Sequence, residues 1–165
     1  HDPGLREKFI ERLFVFWRWQ RLLKENYTIN GLVEFHADHK LLIMSRSSNT
    51  LSVLGKLAAG AKQRKKQDVF DQYMRTLLEG LMLNASIKKN TNVLHHVLGY
   101  FKKLLSADEK QEVLEVIEQY HKGYIPLVVP VFLLQHFVRK YDVAYLKRQH
   151  YLHPHPVELM LRNHV

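Results

Sequence analysis

The chain has 165 residues, 46% of them hydrophobic and 11% aromatic, with a formal net charge of +9 and a pI near 9.7. That is enough apolar material for one globular domain and excludes a disordered tail. The absence of cysteine excludes disulfides and thiolate metal or cluster ligands, and the longest apolar run, Tyr124 to Leu134 interrupted by Pro126 and Pro130, is too short to span a bilayer.

Almost every segment reads as helix. Leu5 to Glu25 places Phe9, Ile10, Leu13, Phe14, Phe16 and Trp17 on a broad apolar face, with Arg6, Glu7, Arg12, Arg18 and Lys24 largely outside it. Asn26 to Gly31 is a turn. In the helix that follows, Gly31 to Ser47, a step of about 100° per residue sets His36, His39 and Arg46 within the stripe of Leu32, Phe35, Leu42 and Ile43, while Glu34, Ala37 and Leu41 point away. Two imidazoles and a guanidinium in an apolar stripe imply a polar pocket or cleft.

Ser47 to Thr50 offers cap chemistry for a helix from about Leu51 to Lys62, and the basic run Lys62 to Lys66 is a loop or an exposed helix end. Asp68 to Leu83 presents Val69, Phe70, Tyr73, Met74, Leu77, Leu78 and Leu81 as a wide core face, and Asn84 to Thr91 is a connection. Asn90 to Leu105 has an apolar side made by Val93, Leu94, Val97, Leu98, Tyr100, Phe101 and Leu104. Its other side carries Asn92, His96, Gly99 and Lys103, a flat strip suited to a phosphate or a nucleobase. Ser106 to Glu109 is a capping box that opens a helix closed by Gly123. Ile125 to Val129 is the one stretch with strand character. A helix runs from near Pro130 to about Tyr141, a short one spans Val143 to His150, and the prolines at 154 and 156 make the first part of the tail extended. The predicted class is therefore all-α, a single-domain bundle of about seven helices over residues 1–165 with a partly extended C-terminal tail.

The net positive charge makes a polyanion the natural partner, and the cations are clustered. Lys62, Arg64, Lys65 and Lys66 form one run, and Lys88 with Lys89, Lys102 with Lys103, Arg139 with Lys140, and Lys147 with Arg148 form doublets. These, with Arg162, are the candidate phosphate contacts. Tyr100, Tyr145 and Tyr151 lie beside basic residues and are candidates for stacking on a base, whereas Trp17, Phe35, Phe70 and Phe101 read as core.

Phosphate-binding glycine loops, dinucleotide fingerprints, nucleophile elbows and zinc-protease helices are missing, so no catalytic residue is assigned. His36 and His39, at i and i+3, could face one metal with help from His95, His96, His153 or His155, yet no carboxylate has a place beside them. No metal site is assigned either.

The strings from Gly31 to Met44, from Thr91 to Lys102 and from Pro154 to Val165 resemble the YbgA-like family, a bacterial domain of unknown function, and the likeness runs from Leu5 to Val165. His36, His39, Lys40, Asn92, His96, Gly99, Tyr100, Arg162 and Asn163 match its pattern. Asn90 and Arg46 stand where that pattern often has histidine. In this family the domain occurs alone or behind a cysteine-bearing domain similar to thiouracil desulfurases, which use an iron–sulfur cluster, and the fused proteins are associated with removing sulfur from 4-thiouridine in transfer RNA. His1 to Arg6 resembles the junction with such a domain.

The resemblance implies an RNA-holding half, with tRNA or another structured RNA and a desulfurase-like domain as partners and no cofactor of its own. The expected ligand pocket comprises His36, His39, Lys40, Arg46, Asn92, His96, Gly99, Tyr100 and Lys103. No N-terminal run resembles a signal peptide, which makes the cytoplasm the expected location. The alternatives are a stand-alone enzyme using His36 and His39 for acid/base chemistry, and a protein-interaction or dimerisation scaffold. For one site to exist, Asn92 and His96 must meet the region of His36 or His39.

Overall fold

The helix bearing His36 and His39 is the axis of the molecule. In a computed structural model that describes residues 2–163, apart from the side chains of Pro3, Arg162 and Asn163, the chain folds as α1 (Pro3–Glu25), α2 (Ile29–Arg46), α3 (Ser48–Ala59), α4 (Lys66–Leu81), α5 (Ile87–Gly99), α6 (Ala107–His121), α7 (Val128–Lys140), α8 (Ala144–Lys147) and α9 (Pro156–Asn163). A 3-10 turn at Ala61–Gln63 separates α3 from α4. The described residues contain helices and turns without a strand, as the all-α reading expects. Of the stretch with strand character, Ile125 to Leu127 is irregular and leads into α7, and Val128 and Val129 are the first residues of that helix. The tail's first part is irregular, and from Pro156 it becomes helical.

Side-chain caps set most of the boundaries. Thr28 accepts from the Gly31 amide to open α2, and Ser86 accepts from the Lys89 amide to open α5. Ser47 lies in extended backbone and serves twice: its amide donates to the Ile43 carbonyl, ending α2, and its hydroxyl accepts from Thr50, starting α3. Both bonds of the Ser106–Glu109 capping box form. Gly123, at φ 77, closes α6, its amide donating to Tyr120 O and that of Tyr124 to Gln119 O, the pair of bonds of a Schellman motif.

Two hydrophobic clusters lie on either side of α2. The first joins Val15 and Trp19 of α1, Leu32, Phe35, Leu42 and Ile43 of α2, and residues of α3 and α4, with Tyr73 stacked on Trp19 at 5.6 Å. The second joins α5 to α8 through Val93, Phe101, Ile117, Leu134 and Phe137, and takes Leu41 from α2. Leu41 points away from the stripe, as periodicity predicts, and enters this second cluster, so α2 has a second apolar face with a partner of its own. Each fully buried residue of Leu or Phe size stabilises this arrangement by about 1.5–3 kcal/mol.

The predicted core face of α1 is corrected more strongly. Val15 and Trp19 enter the core and Ile10 is buried, whereas Leu5, Phe9, Leu13, Phe16 and Trp17 are exposed, Phe9 by 63%. Apolar residues occur all round this helix, so periodicity could not select the side that packs. α5 is also shorter than predicted: it ends at Gly99, and residues 100–104 form turns that leave Tyr100 and Leu104 exposed while Phe101 stays buried.

Candidate functional site

Four of the residues expected to share a pocket do so. His36 and Lys40 from α2, His96 and Tyr100 at the end of α5, and Tyr145 from α8 surround a cavity of about 320 Å³, with Gly55 of α3 in its wall. Gly55 keeps that side open, since a Cβ there would come within 3.6 Å of His36 Nε2. Tyr100 and Tyr145 stack with their rings 4.9 Å apart. Asn92 and Lys103 lie outside the lining, on exposed surface. Nothing lies within 4 Å of the space a Cβ at Gly99 would fill, so that glycine is not there for a close approach.

The imidazole of His36 is positioned from behind. Its Nδ1 is 2.8 Å from the Tyr73 hydroxyl, which is fully buried and has no other described partner, so the hydroxyl donates and Nδ1 accepts. The remaining nitrogen, Nε2, then carries the proton and faces the cavity. Burial, reinforced by the Lys40 charge, lowers the His36 pKa to about 4, so the ring is a neutral donor at pH 7.

His39 faces α1 instead. Its Nδ1 donates to the Phe35 carbonyl at 2.7 Å, and its Nε2 accepts from Arg18 Nε at 2.9 Å. Both nitrogens are engaged, leaving neither for proton transfer or for a metal, and burial followed by the charges of Arg18 and His150 lowers its pKa well below the ordinary value. Seven residues further along α2, Arg46 makes a two-pronged pair with Glu11, Nε to Oε1 at 2.9 Å and Nη2 to Oε2 at 3.0 Å. Arg18 and Glu11 are also seven apart on α1, so these polar residues join two antiparallel helices at positions two turns apart. His39 and Arg46 thus belong to a buried seam, separate from the His36 cavity. The periodicity detected the polar residues in the stripe, and only the partner helix showed their destination.

A second cavity, of about 430 Å³, opens on the Arg46 end of this seam. Leu42, Leu127, Val131 and Leu159 supply apolar walls, while Ser45 and the Glu11–Arg46 pair are at its polar side. Tyr151, a stacking candidate from its sequence neighbours, lines this cavity and donates its hydroxyl to Asn90 Oδ1 at 2.8 Å. Sequence reasoning missed this site because Glu11, Asn90 and Gln135 carry no spacing that links them.

The clustered cations divide into neutralised and uncommitted ones. Lys140 pairs with Glu109, Lys147 with Asp142, and Arg148 with Asp38. Arg64 donates to Gln72. Lys66 donates to the Tyr27 carbonyl and sits over its ring, and Lys89 donates to the carbonyls of Arg46 and Asn84, closing the end of α2. Lys62, Lys65, Lys88, Lys102, Lys103 and Arg139 are exposed without a described partner. The side chain of Arg162 lies outside the described residues.

A family model described as "Protein of unknown function (DUF1722)" matches residues 40–156. The chain belongs to the DUF1722 family. The matched span takes in Lys40, His96, Tyr100 and Tyr145 of the first cavity and begins just after His36 and His39. The chain is also 29% identical over 153 residues to a protein of Escherichia coli K12 described as uncharacterized protein YbgA, covering 92% of this chain and 90% of the relative. This supports the YbgA-like resemblance along nearly the whole DUF1722 chain. No solved structure matches it.

No helix among the described residues is long and apolar enough to cross a membrane. Nor do those residues contain a group of three or more His, Cys, Asp or Glu side chains that could hold a metal ion.

Proposed function

We propose that this DUF1722 chain is an RNA-binding helical domain that holds tRNA while a fused or separate iron–sulfur desulfidase domain removes sulfur from 4-thiouridine. The observation that carries the RNA-binding part is the convergence of His36, Lys40, His96, Tyr100 and Tyr145 from α2, α5 and α8 on one cavity. That set combines a neutral ring donor, a cation for phosphate and aromatic faces at the surface, where a stacked base contributes about 1–3 kcal/mol. The net charge of +9 and the exposed Lys102 and Lys103, two and three residues beyond Tyr100, supply attraction for the backbone. The desulfidase connection rests on the family resemblance.

The test is binding of the purified chain to tRNA with and without 4-thiouridine across a salt series. Affinity that falls with salt for both RNAs supports the RNA-holding role, and tighter binding of the thiolated tRNA supports base reading in this chain. Absence of binding at low salt overturns the proposal.

The outward face of α1 favours a second reading, as a protein-interaction or dimerisation scaffold. Leu5, Phe9, Leu13, Phe16 and Trp17 are all exposed there, an unusual concentration of large apolar groups on one helix. Sedimentation of the chain alone addresses dimerisation: a monomer, or a dimer that persists in Phe9→Ser and Phe16→Ser, leaves that face without a self-partner.

A further inference from the structure

The outward side of α1 carries a narrow seam. Phe9, Leu13, Phe16, Gln20 and Leu23 follow one another at intervals of four, three, four and three residues. At about 100° per residue they fall within about 80° of one another, and all five are exposed. That spacing is the a/d repeat of a coiled coil, which presents one narrow stripe to one partner helix. A groove of about 650 Å³ extends the seam toward α4, with Leu23 on one side, Met74 and Leu78 on the other, and the buried Trp19 and Phe70 at its floor.

The charges that α1 sets beside this seam have one sign. Arg6 and Lys24 stand about 60° to one side of its centre and Arg12 about 60° to the other, whereas Glu7, Glu11 and Glu25 lie more than about 150° away. Glu11 is buried against Arg46, and Glu25 pairs with Arg21. Lys24 has no described partner, and Arg12 Nε is buried without a hydrogen-bond acceptor. The charges that α4 adds at the groove, Asp71 and Arg75, are opposite in sign.

Resting on the scaffold reading of this face and independent of RNA holding, we infer that the seam docks one amphipathic helix of a partner protein, with Glu or Asp flanking its apolar stripe. A second copy of this chain would set Arg6, Arg12 and Lys24 against cations of the same kind, and like charges across an interface oppose association. A bilayer is flat where the groove is concave, and it would strip water from the Gln20 amide without offering a hydrogen bond. A polar residue at one a position of a helix pair is ordinary.

The test is fluorescence anisotropy of the full chain with two labelled peptides of about three heptads, which share a leucine seam and carry either Glu or Lys at every flanking position. The Glu peptide is expected to bind at least about tenfold more tightly than the Lys peptide, with affinity falling as salt rises. Phe9→Ser combined with Phe16→Ser, both at exposed positions, is expected to abolish binding and leave the melting temperature unchanged. Lys24→Glu is expected to weaken the Glu peptide about threefold. A Glu peptide whose seam leucines are replaced by serine is expected not to bind, which separates docking from attraction to the net charge of +9.

Equal affinity for the Glu and Lys peptides, binding that survives the double substitution, or no binding of the Glu peptide overturns the inference. Co-sedimentation with phosphatidylserine vesicles that disappears in the double variant assigns the face to a membrane, and also overturns it. A dimer that disappears in the double variant assigns the face to a second copy: the scaffold reading then stands and this partner falls. If tRNA binds while the peptides fail, the RNA-holding reading is untouched.

Discussion

Arg18 donates from Nε to Nε2 of His39 at 2.9 Å, which fixes His39 as the neutral tautomer with its proton on Nδ1. A guanidinium and an imidazole in contact usually repel when both are charged. Here the imidazole remains uncharged and Arg18 takes its counter-ion from Glu158 of α9, at 3.5 Å. This contact ties α1, α2 and the C-terminal helix together at one point.

Replacing His39 with alanine leaves the Arg18 donor without its acceptor in a site that is almost completely buried. The expected loss is about 1–3 kcal/mol of folding stability, with the lost ring packing adding to it. Urea denaturation of the variant checks this, and an unchanged midpoint would contradict the assigned contact.

Acid should destabilise the fold from the ordinary histidine range downward. Burial lowers His36 to about 4 and His150 to about 3, with His39 lowered as well. Below pH 6.5 these rings protonate in the unfolded chain while remaining neutral in the folded one, so the unfolded state binds more protons and stability falls with pH. The loss reaches up to about 1.4 kcal/mol per pH unit for each such histidine until its folded pKa is reached. Denaturation at pH 7 and pH 5 measures it, and His36→Gln should reduce the slope.

The Glu11–Arg46 pair is buried, so removing one partner strands a charge. Arg46→Ala should cost about 3–5 kcal/mol, whereas the double replacement Glu11→Leu with Arg46→Met should cost much less. Comparing the melting curves of the three chains checks the prediction. Equal losses in both variants would show that shape, rather than charge, is the limiting feature.

Two glycines of the family-like strings should behave oppositely. A Cβ on Gly31 would lie 2.3 Å from the Asn26 carbonyl oxygen, where the chain turns between α1 and α2, and backbone must shift to admit it. Gly99 has open space at that point. Gly31→Ala should destabilise by more than about 2 kcal/mol, above the centre of about 1 kcal/mol for point substitutions, and Gly99→Ala should have little effect. Thermal melts of the two variants decide this.

Replacing Lys102 or Lys103 with glutamine should flatten the salt dependence of tRNA affinity by about 0.7–0.9 in the logarithmic slope, one phosphate contact each. Lys140→Gln should leave that slope unchanged because its charge is already engaged by Glu109. A filter-binding salt series compares them.

Local chemistry determined much of this protein by itself. Apolar spacing gave the helices their existence, Ser106 and Glu109 gave α6 its start, and Gly123 gave it its end, because each depends on atoms within a few residues. The polar residues within the α2 stripe were visible for the same reason. Their separation into two sites was decided by the tertiary structure: His36 turns to Tyr73 and the α5–α8 cavity, while His39 and Arg46 turn to Arg18 and Glu11. Small differences in angle around α2 became different surroundings once helices packed on both sides. Packing also decided that Trp19 rather than Trp17 enters the core, since an α1 with apolar residues all round has no side fixed by its own sequence.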